Sequence, residues 1–410
     1  MTGIGTISTT RRRFVAGIGA AGVLGATHAW LPRLAFGQDS GSGKTLVQLF
    51  LRGGQDGLSV VVPHQEDQYY SLRPSISVPP SAILPLTEQF GLHPAMPRFK
   101  ELYDAGHLVL VPAAGSPDPS RSHFDAMDFM ERGTPGSKTE PDGWLARHLK
   151  ALGTDTNPLR AVGIGTMLPA TLRGYDSAIA MQGLESFAIT GRGFDPAVIE
   201  ATLGAIYDSS DPDLVEYQAQ QTLATLENIE GAGLGGSPAP ERYGNSDAGR
   251  GLWEVAQLVN ADVGLEAACV DFGGWDLHES LGTHQAGRMH DQVVDLDAAV
   301  GSFFDDIAAR GDSVTLVMMS EFGRRVAENA SAGADHGHGS VMAVLGVGLT
   351  GGVYGEWPGL EVLDRGDVQV VNDYRLVLAE VLQNRCASAD PAAVFPGYSF
   401  EPGDYLGFTT

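Results

Sequence analysis

Six short, nearly uninterrupted apolar runs recur along the chain: TLVQLFLRGG (45–54), HLVLVPAAG (107–115), RAVGIG (160–165), EAACVDF (266–272), VTLVMMS (314–320) and VMAVLGVG (341–348). Runs this short and this apolar are strands buried on both faces, because a strand with one wet face alternates polar and apolar residues. Stretches of helical character lie between them. Residues 93–106 carry Met96, Phe99, Leu102 and Tyr103 on one stripe. Residues 120–133 open on serines and close on Gly133, and 195–230, 251–262, 285–310 and 373–385 also read as helical. Strands buried on both faces and separated by helices predict an α/β fold, a mostly parallel central sheet with helices on both faces. Residues 231–249, rich in Gly, Pro and Ser, predict an exposed loop.

Composition narrows the function. The chain has 410 residues, a formal net charge of −24 and no basic cluster beyond residue 37, which argues against a nucleic-acid partner. Two cysteines, Cys269 and Cys386, are too few for a thiolate zinc site or an iron–sulfur cluster. GSGKT before the first strand is not a phosphate loop, since Gln38 stands where the motif needs glycine and the segment precedes a strand instead of following one.

The amino terminus reads as an address. TRRRFVA (10–16) and a glycine-rich, weakly hydrophobic run have the pattern of a twin-arginine export signal, with Ala35 and Gly37 as small residues before a cleavage point near Gly37–Gln38. The run is broken by glycines, His28 and Pro32, so no stable membrane span is expected after cleavage. The expected organisation is a signal peptide (1–37), a linker (38–44) and one α/β domain (45–410) with a helical and loop excursion near 176–250. The expected location is periplasmic or secreted, with the twin-arginine translocase as partner during export of the folded chain.

In a parallel sheet, functional groups collect at the carboxyl ends of the strands. Asp56 follows the first strand, Ser122 and His123 the second, Asp276 and His278 the run EAACVDF, and Glu321 the run VTLVMMS. Asp335, His336 and His338 come just before VMAVLGVG. Carboxylate oxygen and imidazole nitrogen are ligands for zinc-like and harder divalent metals, so one or two such ions are expected at this edge. Plainer roles stand beside these. Asp56 among glycines could cap a turn, Glu321 could pair with Arg324 or Arg325, and Ser122 could be only a helix cap.

The segments LFLRGGQDGLSVVVP, GLHPAMPRFKELYDAGHLVLV, SRSHFDAMDFMERG, FGGWDLHE, SEFGR and ADHGHG, in this order, closely resemble the domain-of-unknown-function 1501 family of exported bacterial proteins. That family resembles a branch of the alkaline phosphatase and sulfatase superfamily, which implies an alkaline-phosphatase-like three-layer sandwich. The resemblance implies one metal on Asp276, His278 and either His336 or His338, and another on Asp56 and Glu321. Asp335 with His336 would replace a missing imidazole. Ser122 would be the nucleophile, with His123 beside it and Arg121 or Arg52 holding an oxygen of a small anionic ester. Asp276 and His278 are one residue apart where the phosphatases have three between, and Glu-Phe stands in place of Asp-His. There is no Cys-x-Pro-x-Arg motif, so a formylglycine sulfatase is not implied. The implied activity is hydrolysis of phosphate or sulfate esters. The alternative is a non-catalytic exported binding or cell-surface assembly protein on the same fold.

Overall fold

A computed structural model describes residues 42–409, apart from 154–156, 186, 190–194, 236 and 389. The export signal and nearly all of the linker lie outside the described residues.

Among the described residues nine strands form one sheet. They are β1 (Thr45–Leu51), β2 (Leu108–Gly115), β3 (Ala161–Ile164), β4 (Ile179–Met181), β5 (Ala267–Phe272), β6 (Val314–Met319), β7 (Ser340–Leu345), β8 (Gly352–Val353) and β9 (Asn372–Asp373). Their order is β8-β2-β7-β6-β1-β5-β3-β4, and β9 lies with β8 on the outer edge of β2. β1 sits at the centre, in parallel register with β5 (Leu46 opposite Ala267) and with β6 (Leu46 opposite Thr315). Only β7 is reversed, antiparallel to both β2 and β6.

The helices of eight or more residues are α1 (Pro97–Asp104), α2 (His123–Arg132), α3 (Trp144–Ala151), α4 (Pro196–Ile206), α5 (Leu214–Gly231), α6 (Asp247–Asn260), α7 (Arg288–Ile307) and α8 (Tyr374–Arg385). All of β1 is buried, and its alternate residues supply two separate cores. Val47, Leu49 and Leu51 face α1, α6 and α7. Leu46 and Phe50 face α2, α3 and α8. This is the three-layer arrangement that runs buried on both faces require.

Departures from the sequence reading are local. The helical stretch at 195–230 is two helices, α4 and α5, with Asp213 capping the second through Val215 N–H and Glu216 N–H. α6 begins inside the expected loop at Asp247, where Ser246 accepts from Gly249 N–H. β4, β8 and β9 are two or three residues long, too short to carry a periodic signal. Before α1, His93 Nδ1 accepts from Ala95 N–H at 3.2 Å. Cys269 and Cys386 are buried and free. Among the described residues no helix is long and apolar enough to cross a membrane.

Candidate metal centre

The reversal of β7 decides which loops can meet. The residues before an antiparallel strand lie at the same sheet edge as the residues after its parallel neighbours. Ser340, the first residue of β7, is opposite Ala114 near the end of β2. The segment 335–338 is laced to the segment after β6, with Arg325 N–H to Asp335 O at 2.9 Å and Gly323 N–H to His338 O at 2.8 Å. Two glycines permit this closeness. A Cβ on Gly337 would meet the Arg324 carbonyl carbon at 2.4 Å, and one on Gly53, at φ +116°, would meet Asp276 N at 2.6 Å.

His123 arrives from the first turn of α2, which Ser122 caps by accepting Asp125 N–H at 3.4 Å. His123, Asp276 and His336 each offer a ligand atom, and these atoms lie within 4.8 Å of one another. The Asp276 Oδ1 atom is 3.5 Å from His123 Nε2, 3.3 Å from His336 Nε2 and 3.0 Å from His278 Nε2. The rings stack around Phe322, whose centroid is 4.9 Å from both His123 and His336.

The hydrogen bonds behind the rings define their tautomers. His336 Nδ1 is 2.8 Å from the Arg121 carbonyl, which can only accept, so Nδ1 carries the proton. His123 Nδ1 is 2.8 Å from Glu321 Oε1, and His278 Nδ1 is 3.2 Å from Asp335 Oδ1. Each imidazole thus turns its Nε2 inward and its Nδ1 toward an outer carboxylate or carbonyl, the orientation that metal-binding histidines receive. His123 Nε2 is buried and has no hydrogen-bond partner. His278 Nε2 and His336 Nε2 are 2.9 Å apart. A divalent cation would accept donors from His123, Asp276 and His336 together, so the residues present fit a metal.

Charge is arranged to match. Burial pushes the Asp276 carboxyl up, but the Arg324 guanidinium, 2.6 Å away, and the nearby imidazoles outweigh it and hold the group at about 2. Burial also raises Glu321, and the bonds from His123 and from the Gly53 and Gly54 amides bring it below its ordinary value. Burial lowers His336 and so favours the neutral ligand form. The Glu321 hydrogen bond raises His123 against burial.

The other expected site residues are held elsewhere. Both Asp56 oxygens are taken by Arg73, at 2.6 and 2.9 Å, and Oδ2 also accepts from Ser59. Asp56 and Arg73 are a buried ion pair, and the expected metal role of Asp56 gives way to it. His338 turns away from His336, with Nε2 on the Ser116 carbonyl at 2.9 Å and Nδ1 3.6 Å from Asp364. Glu321 and Asp335 stand behind the histidines as orienting groups. Glu321 pairs with neither Arg324 nor Arg325 among the described contacts. Arg121 is bound to the buried Asp367, and Arg52 is clamped by Glu131 and Asp271. Sequence reasoning missed Arg73 and the part played by Arg324. Two arginines directly after β6, beside the acidic edge, were the available signal.

A cleft of about 560 Å³ opens beside the cluster, lined by Arg121, His278, Arg325, Asn329, Asp335 and His336 among others. The fold brings His123, Asp276 and His336, residues that could hold a metal, to one edge of an α/β sheet. The chain belongs to the DUF1501 family, whose model, "Protein of unknown function (DUF1501)", matches residues 111–374. No curated protein matches the chain. Similar solved structures include a protein in the alkaline phosphatase superfamily from Vibrio parahaemolyticus (13% identity, 96% of this chain and 80% of that one, TM-score 0.35). A PsFucS1 sulfatase from Pseudoalteromonas sp. is similar at 11% identity, over 97% of this chain and 74% of that one, with TM-score 0.36. The periplasmic domain of EcEptC from Escherichia coli, in complex with zinc, is similar at 11% identity over 75% and 74%, with TM-score 0.34. At such scores the likeness carries no argument of its own, and the fold stands on its strand order.

Proposed function

We propose that this protein is an exported, metal-dependent hydrolase of phosphate or sulfate esters, with its metal at His123, Asp276, His278 and His336. The observation that carries the reading is the convergence of ligand atoms from His123, Asp276 and His336, with His278 Nε2 3.0 Å from Asp276 Oδ1, beside an open cleft. A bound divalent ion supplies Lewis-acid polarisation of an ester oxygen. Glu321, the Arg121 carbonyl and Asp335 hold the Nδ1 protons and fix the ring planes. Arg325 lines the cleft, and no described residue forms an ion pair or side-chain hydrogen bond with its guanidinium, which leaves it free to donate to non-bridging oxygens. Arg52 and Arg121, tied to buried carboxylates, serve that role less well. Ser122 stands between Arg121 on the cleft wall and His123 in the cluster. Its Oγ accepts one long cap bond from Asp125 N–H and its hydroxyl reaches the Asp125 carboxylate, which is placed to take the proton of a serine nucleophile.

The test is elemental analysis of protein recovered through its native export route, joined to a screen of phosphate and sulfate esters. Bound metal, turnover abolished by chelation, metal lost in His336→Ala, and turnover lost with metal retained in Ser122→Ala are the expected results. Metal-loaded protein that turns over no ester overturns the hydrolase reading in favour of a binding or assembly role.

A further inference from the structure

We infer that the centre holds a single divalent ion, and that the Arg324 guanidinium stands permanently where a second cation would be needed. The inference rests on the metal reading above and deepens it. The carboxylates and imidazoles around the cluster must be assigned one by one. Asp56 gives both oxygens to Arg73 and one also to Ser59. Glu321 Oε1 receives His123 Nδ1 and the Gly53 amide, and Oε2 receives the Ser320 hydroxyl. Asp335 Oδ1 receives His278 Nδ1 and the Asn329 side-chain amide. Asp271 is bound by Arg52, and His338 by the Ser116 carbonyl. Asp276 is the one carboxylate of this group that faces the inward imidazole nitrogens, and it can complete one coordination sphere.

Arg324 is 2% exposed and all three of its guanidinium nitrogens are hydrogen-bonded. Nε donates to Gly54 O at 2.7 Å and Nη1 to Ala334 O at 2.9 Å. Nη2 reaches Asp276 Oδ1 at 2.6 Å, Trp275 O at 3.2 Å and also Gly53 O. A guanidinium cannot be deprotonated in a protein, so this charge is fixed. Asp276, Glu321 and Asp335 bring three negative charges, and Arg324 and the cleft-lining Arg325 return two positive, so one divalent ion already offsets what remains. A second would sit against this fixed cation, which repels it. Arg324 is thus a positioning residue, which aims Asp276 at the three histidines.

The experiment is metal counting on the wild-type, full-length protein, with zinc and separately manganese as probes. Dialysis against each ion is followed by elemental analysis, and a crystal of the loaded protein is measured at the metal's absorption edge. One ion per chain, as a single anomalous peak among His123, Asp276 and His336, is the expected result. Two ions per chain, or a second peak near Arg324, overturn the inference and leave the metal centre standing. No bound ion overturns the metal reading itself. Asp56→Asn supplies a second measurement: the folded fraction should hold the same one ion, and a fall below half occupancy would restore Asp56 as a ligand and sink the single-ion assignment.

Discussion

Asp56 shows how one residue type can hold opposite roles on the same sheet edge. A carboxylate after a central strand is where a metal ligand is sought, yet Asp56 is 2% exposed and faces a guanidinium that is wholly buried. Removing one partner of such a pair leaves a buried, uncompensated charge, which costs about 3–5 kcal/mol. Asp56→Ala should therefore lower stability by about that amount in urea unfolding, while the folded fraction keeps its metal affinity. Glu321 gives the contrasting case. Glu321→Gln keeps the shape behind His123 but weakens the acceptor of its Nδ1 proton, and loss of such an outer partner costs about 10–100-fold in metal affinity. Competition against a zinc-sensitive dye would read that loss, and an unchanged affinity would remove Glu321 from the centre.

Elements are joined by carboxylates that reach across layers. α1 begins without a side-chain cap of its own, and Asp297 from α7 accepts its free Arg98 and Phe99 amides at 3.1 and 2.8 Å. Burial raises the Asp297 carboxyl to about 6, against the pull of those amides. The folded state then keeps a proton that the unfolded chain releases near pH 4. This group's contribution to stability should fall as pH rises from about 4 to 6 and level off above. Titration of carbon-13-labelled aspartate should show one carboxyl with its midpoint near 6. Such a contact was not legible beforehand, because nothing in a linear pattern says which helix faces another's open end. What was legible were the long elements with a strong period: β1, β2, β5, β6 and β7, and the helices α1, α2, α7 and α8. The unmarked ones are the two- and three-residue strands β4, β8 and β9, fixed by their neighbours, and the helix α3. At the site, chain position next to a strand found His123, Asp276 and His278 after strands and His336 just before one. It could not say which way a side chain turns, and so it grouped Asp56 and His338 with them.

For the whole molecule, the acidic balance and the reading of its first residues set the remaining expectation. Replacing Arg11 and Arg12 together by Lys should keep the protein in the cytoplasm, because the twin-arginine route reads the guanidinium pair. Fractionation that finds the double variant outside the cytoplasm at the wild-type level would remove that assignment.

The parallel direction of β1 and its neighbours carries one more consequence. The described chain enters the sheet at Ser42, whose amide binds Glu266, and Lys44, which pairs with Asp312. Both partners belong to loops that lead into parallel strands, β5 and β6, on the rim opposite the metal centre. A chain tethered by its amino-terminal residues, to a membrane or to a solid support, would hold its cleft outward, facing whatever diffuses past.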